Sequence, residues 1–167
     1  MIGNDVIDLQ QSRQESNWQR RGFIEKLFTA NEQLLIANDP DPEIVVWTLW
    51  SMKEAAYKVY NRQTKIREYI PKKLVCTIIS KNDYYSTGQV ICNGNSFYTK
   101  TILSKEKIHT IAVSDVDDLK RVIEIENKDI LKDKNGLPYL SNVVSDTFKA
   151  VSKSHHGRFE KVVTLNK

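Results

Sequence analysis

Residues 43–60, EIVVWTLWSMKEAAYKVY, are the most strongly periodic segment of the chain, and they oblige it to pack one stripe of a helix against something apolar. Trp47, Trp50, Glu54 and Tyr57 recur at helical spacing and share one face. Residues 38–42, NDPDP, precede the helix with two prolines among polar residues, a composition that demands a turn. The surface for the stripe comes from both sides of it. Residues 2–9, IGNDVIDL, open with β-branched residues and read as a short strand. Residues 17–37 read as helical, with Trp18, Phe23, Leu27 and Phe28 apolar and a capping box at Thr29-Ala30-Asn31-Glu32. Downstream, residues 74–79, 88–92, 96–103 and 108–114 are short runs rich in Val, Ile, Thr and Tyr, separated by turns such as Asn93-Gly94-Asn95, and they read as strands.

The remainder is a polar link at Asp115–Lys120, a strand at Val122–Glu126 and a turn over Lys132–Tyr139 built on Asn135-Gly136 and Pro138. A helix or loop at Ser141–Lys149, a polar loop at Ser152–Arg158 and a strand at Val162–Leu165 follow. Helices first and strands after predict an α+β fold, with helices packed on an antiparallel sheet. A chain of 167 residues fits one domain spanning 1–167. No apolar run is long enough to cross a bilayer. The start of the chain lacks a basic segment followed by an apolar stretch, and Cys76 and Cys92 form no C-x-x-C pair, so a reducing cytoplasm is the expected setting.

Three groups of residues could carry chemistry. Glu54 and Lys58 lie four apart on one helix face. They form either a surface ion pair or, because Glu54 shares an apolar stripe, a carboxylate that needs a cation or donors beside a cleft. Lys53 and Lys58 offer positive charge nearby. Asp5 and Asp8 stand either in a solvated turn or, for Asp5 among Ile2, Val6, Ile7 and Leu9, at a cation site. Magnesium is held by one or two carboxylates together with substrate phosphates, a count that Asp5 and Glu54 satisfy if the strand end faces the helix. Ser152-Lys153-Ser154-His155-His156-Gly157-Arg158 is either an exposed polar loop or a phosphate-binding one. The formal charge of +4 suits an acidic partner or a polyphosphate through steering. The P-loop, dinucleotide, nucleophile-elbow and zinc-protease motifs are all missing from the sequence.

These elements together resemble the 4′-phosphopantetheinyl transferases. IGNDVIDL resembles that family's G-[IV]-D-[IV] motif, and WSMKEAAYK, residues 50–58, its x-K-E-A-x-x-K signature. Phe28–Glu32 is similar to the F-[ST]-x-x-E element, KDKNGLPYL to the G-K-P segment and VSKSHHGRF to the S-x-S-H segment. Their order is that of the short, holo-acyl-carrier-protein synthase type. Leu137 departs from the family lysine of G-K-P, with Lys132 or Lys134 as candidates to replace its charge, and residues 74–117 look like an inserted β segment.

The resemblance implies an enzyme that moves the phosphopantetheine arm of coenzyme A to a serine of an acyl or peptidyl carrier protein. It implies magnesium held by Asp5 and Glu54, with Asp8 as a third, water-mediated ligand. Glu54, directly or through a metal-bound water, is the implied base, and Lys58 stabilises the leaving 3′,5′-ADP. Lys53, Ser154 and His155 join Lys58 in binding coenzyme A. Short members work as trimers, so a homo-oligomer is expected. Two rival readings stand beside this one. Leu137 favours a non-catalytic relative that binds coenzyme A or a carrier, and the charge favours a basic nucleic-acid module, against which the aromatics fall on core-like stripes.

Overall fold

A computed structural model describes residues 1–142 and 147–166 of the chain. A first strand, β1 (Ile2–Asp8), leads into three short helices, α1 (Leu9–Glu15), α2 (Phe23–Leu27) and α3 (Ala30–Asn38), and then the long α4 (Pro42–Thr64). Four strands follow, β2 (Val75–Lys81), β3 (Tyr85–Cys92), β4 (Asn95–Leu103) and β5 (Lys107–Val113). After a 3-10 turn come β6 (Val122–Glu124), β7 (Ile130–Lys132), β8 (Pro138–Asn142), β9 (Thr147–His156) and β10 (Phe159–Leu165). The described strands form two antiparallel sheets, ordered β1-β5-β4-β3-β2 and β6-β10-β9-β8-β7. The fold is therefore α+β, as expected.

Each long element has a local cause. Asp41 caps α4 by accepting from the Ile44 amide, with Pro42 in its first turn, and Lys65 ends it in the left-handed region at φ 62. The capping box of α3 is present in both directions between Thr29 and Glu32. Val45, Val46, Leu49, Met52, Ala55, Ala56 and Val59 of α4 are buried in the main core, beside Cys76, Val90, Phe97, Ile108 and Ala112 of the first sheet. Trp50 and Tyr57, expected on the core stripe, lie instead on its flank, where both meet Tyr69 edge to face at ring-centroid distances of 5.9 and 4.9 Å.

Three sequence expectations change. Helix α1 was not anticipated, and residues 17–22 between it and α2 are not helical. Ser141 and Asn142 end β8 and Thr147–Lys149 begin β9; residues 143–146 lie outside the described residues. Ser152–His156 is strand rather than loop, and only Gly157, at φ 53, turns the chain toward β10.

Two tight features orient α4. Lys53 is fully buried, and its ammonium donates to both Glu32 carboxylate oxygens at 2.9 Å, to Pro71 O at 2.9 Å and to Leu74 O at 2.6 Å. Glu32 also accepts from the Cys76 amide at 2.7 Å and the Thr29 amide at 2.8 Å. The pair thus joins α3, α4 and the open edge of β2. On the opposite side, β1 crosses α4 so closely that a Cβ on Gly3 would stand 2.1 Å from Ala55 O.

Removing one member of the buried pair leaves a charge without its partner, so Glu32→Gln should cost about 3–5 kcal/mol in urea unfolding. Gly3→Ala forces the strand off the helix and should cost about 3 kcal/mol. Unchanged midpoints for both variants would contradict this account of how α4 is held.

Candidate active site

The crossing at Gly3 brings the next residues of β1 over the outward side of α4. Glu54 and Lys58 share a helix face, and Lys58 Nζ donates to Asn4 O at 2.6 Å and lies 3.9 Å from Asp5 Oδ1. A cleft of about 250 Å³ opens here. Asp5, Glu54, His155 and His156 supply its polar lining, while Ile7, Phe23, Leu27, Trp47 and Trp50 form an apolar wall. Strand, helix and the β9 end all contribute to it.

Both acids are short of water. Burial is the largest cause that pushes Asp5 up to about 6; the Glu54 carboxylate adds to the rise and the Lys58 ammonium opposes it. Burial likewise raises Glu54, against the pull of the Tyr69 hydroxyl and Lys58. Tyr69 Oη faces Glu54 without reaching hydrogen-bond geometry and is otherwise buried without a partner. Two desolvated carboxylates beside one ammonium form a site that is richer in negative charge than in compensation. Among the described residues no group of three His, Cys, Asp or Glu converges as a metal site. Two all-oxygen side chains suit a hard cation that completes its shell with substrate phosphates and water, so Asp5 and Glu54 fit magnesium in that role.

The other expected site residues divide. His155 is exposed and lines the cleft. Lys53 does not: its ammonium points into the core, where Glu32 and two carbonyls take its protons, so it offers no charge to a ligand. Asp8 is likewise a structural group rather than a metal ligand. Its side chain is buried and accepts from the Gln10 and Gln11 amides, from the Arg158 amide and from the Arg158 guanidinium at 2.8 and 2.9 Å. The Arg158 hydrogen bonds are the largest cause holding its carboxyl well below the usual range. Ser154 is buried and accepts from Asn4 Nδ2 at 2.9 Å, which places its hydroxyl in the sheet-to-sheet contact instead of the cleft.

Asn4 and Tyr69 were missed, and His156 was read only as part of the Ser152–Arg158 segment. Asn4 had a signal, since a neutral amide within a strand of apolar residues is polar and must be satisfied when buried. His156 accepts from the Asp8 amide through Nδ1 at 2.9 Å and approaches Glu15 through Nε2 at 3.3 Å. No spacing in the sequence marks that pairing or the Tyr69–Glu54 approach.

Paired carboxylates beside an ammonium, where a strand crosses a helix, are a donor set for a hard cation that would in turn hold an anionic, oxygen-rich ligand. A family model of the 4′-phosphopantetheinyl transferase superfamily matches residues 1–114, and the chain belongs to that superfamily. The match contains β1, α4 and the first sheet, with Asp5, Glu54 and Lys58. A comparison with curated proteins finds no significant match. Membership makes the chain a transferase-family protein whose family chemistry is phosphopantetheinyl transfer, with coenzyme A as the general substrate and magnesium as the general metal.

The site carries a cost in stability. The folded pKa of Asp5 lies above its unfolded value of 3.8, so the folded state holds the proton more tightly. Stability therefore falls as pH rises from about 3.8 to about 6, and the full penalty is present above that window. Asp5→Asn should stabilise the ligand-free protein at pH 7.5 by up to about 3 kcal/mol, and by nothing at pH 3.5. Thermal melts at the two pH values check it; equal shifts at both would count against a buried, ionised Asp5.

Proposed function

We propose that the protein transfers the 4′-phosphopantetheine arm of coenzyme A onto a serine of an acyl or peptidyl carrier protein, in the manner of holo-acyl-carrier-protein synthases. The observation that carries this reading is the convergence of Asp5 and Glu54 on one cleft beside Lys58. The two acids belong to the two family signatures and are 49 positions apart by their numbers, 54 less 5.

The carrier serine oxygen attacks the β-phosphorus of coenzyme A. A new oxygen–phosphorus bond forms as the bond to the bridging oxygen breaks, and 3′,5′-ADP leaves. Glu54 takes the serine proton, directly or through a water. The Lys58 ammonium, held by Asn4 O and part-exposed, faces the charge that grows on the leaving group. Asp5 and Glu54 are the residues that would hold magnesium, which supplies charge neutralisation and alignment of the diphosphate when bound. His155, exposed in the cleft, is placed to contact the nucleotide or its 3′-phosphate.

Leu137 is the departure that favours a binding-only relative. It lines a second cavity with Arg62 and Tyr139. Arg62 donates there to Pro138 O and Val151 O. We take residues 1–167 as one functional unit in which β2–β5 extend the first sheet. A homo-oligomer of the kind the short family forms is part of this proposal. The positive surplus suits a carrier with an acidic recognition surface.

Incubation with apo-carrier, coenzyme A and magnesium, followed by mass spectrometry of the carrier, tests the proposal. The carrier should gain one phosphopantetheine, and Asp5→Ala and Glu54→Ala should each slow transfer by at least about 10²-fold. No mass gain across acyl and peptidyl carriers, with coenzyme A still bound, would establish the binding-only reading instead.

A further inference from the structure

The joint between the two sheets has an apolar part, where Ile2 and Val113 meet Val163, and a polar part beside it. Asn4, His109, Ser152 and Ser154 are all buried, at 0, 4, 3 and 6% exposure. Asn4 uses every polar group it has. Its amide donates to Ser152 Oγ at 2.8 Å, and Ser152 Oγ donates to Asn4 Oδ1 at 2.7 Å. Its Nδ2 donates to Ser154 Oγ at 2.9 Å and to Lys161 O at 3.2 Å, and lies 3.3 Å from His109 Nε2. Its carbonyl accepts from Lys58 Nζ at 2.6 Å. A network satisfied at every atom is rigid and selects one arrangement of the parts it joins.

Those parts carry the chemistry. Ser152, Ser154 and His156 alternate along β9, so in a strand they share a side, and all three bond to β1: the serines to Asn4 and His156 to the Asp8 amide. His155 stands between the last two tethers. Lys58 Nζ, besides Asn4 O, lies 3.5 Å from Lys153 O on the same strand. We infer that Asn4 is a positioning residue, which fixes the strand carrying His155 against the Lys58–Asp5 pair and so determines where His155 meets the substrate. The inference rests on the transferase reading for the identity of that substrate, and on geometry alone for the positioning.

The test is a double-mutant cycle read by calorimetric coenzyme A binding, with circular dichroism confirming the fold of each variant. Asn4→Ala and His155→Ala should each weaken binding about tenfold, the effect of one lost buried hydrogen bond or charge-assisted contact. The double variant should be no weaker than His155→Ala alone, because both act through one imidazole. Wild-type affinity in a folded Asn4→Ala, or a double variant showing the product of the two single losses, would overturn the inference. If Asn4→Ala does not fold, Ser154→Ala takes its place with the same expectation. A wild-type chain that fails to bind coenzyme A removes the transferase reading only. NMR relaxation of His155 then decides the positioning: greater His155 mobility in Ser154→Ala upholds it, and unchanged mobility defeats it.

Discussion

The Lys53–Glu32 ion pair sets the rotation of α4, and with it which side chains of that helix can meet a substrate. Successive helical residues are turned by about 100°. With Lys53 pinned into the core by Glu32, Pro71 O and Leu74 O, Glu54 has to emerge on the adjacent side, and Lys58 one turn further along the same face. The pair also occupies backbone groups at the free edge of β2, through Leu74 O and the Cys76 amide. An edge strand with its hydrogen-bonding groups taken is a poor template for another chain. A buried ion pair is weak evidence of net stability, because apolar residues of like volume often do as well. Its value here is directional: an apolar pair could slide, whereas an ammonium whose three protons go to Glu32, Pro71 O and Leu74 O cannot.

The glycine at the other side of α4 completes the placement. Backbone-to-backbone contact between Gly3 and Ala55 leaves no room for a side chain, and it brings Asp5 within the field of both Glu54 and Lys58. The same closeness excludes water from the two acids, and the raised pKa values follow from that exclusion more than from any one neighbour. Ligands poorly served without a cation would gain most from one, so in the proposed metal role the destabilisation and the affinity would have a common origin. Gly157 repeats the device at smaller scale. A Cβ there would stand 2.6 Å from Asp8 Oδ2, and the turn it makes lets Arg158 clamp Asp8 with backbone and guanidinium together.

Much of the fold was legible because its signals are local. The α4 helix, the Thr29–Glu32 capping box and the turn at Asn93-Gly94 rest on signals that act over a few residues, and each is found in the structure, although the buried stripe of α4 runs through Leu49, Met52, Ala56 and Val59 instead of Trp50 and Tyr57. Helix α1 was hidden because LQQSRQE has no apolar period; it exists because Asp8 caps it. The S-x-S-H-H segment was read as a loop because a strand whose buried side is polar shows no hydrophobic alternation. Its period of two is written in serine and histidine instead. Asp5 and Glu54 were read together from the carboxylate count that magnesium takes, and again through the family motifs. Lys53 was misplaced because its partner is Glu32, 21 positions away, whose capping role already accounted for it.

The division of the cleft between two sheets is the last consequence of these contacts. The family match ends at residue 114, within reach of everything that holds the two acids and Lys58, yet His155 comes from β9, beyond that limit. Asp5 and Glu54 are set by contacts inside the first sheet and its helix. His155 is set by how the second sheet sits on the first. The two halves of the site therefore answer to different contacts: apolar packing and a buried ion pair for the acids, and for the imidazole the Ile2–Val113–Val163 cluster together with a hydrogen-bonded polar joint. Apolar packing tolerates small slips, whereas hydrogen bonds of fixed length and direction do not. The polar joint at Asn4 is thus the contact on which the relative position of acid and imidazole depends, and Lys58, bonded to the Asn4 carbonyl, belongs to both halves at once.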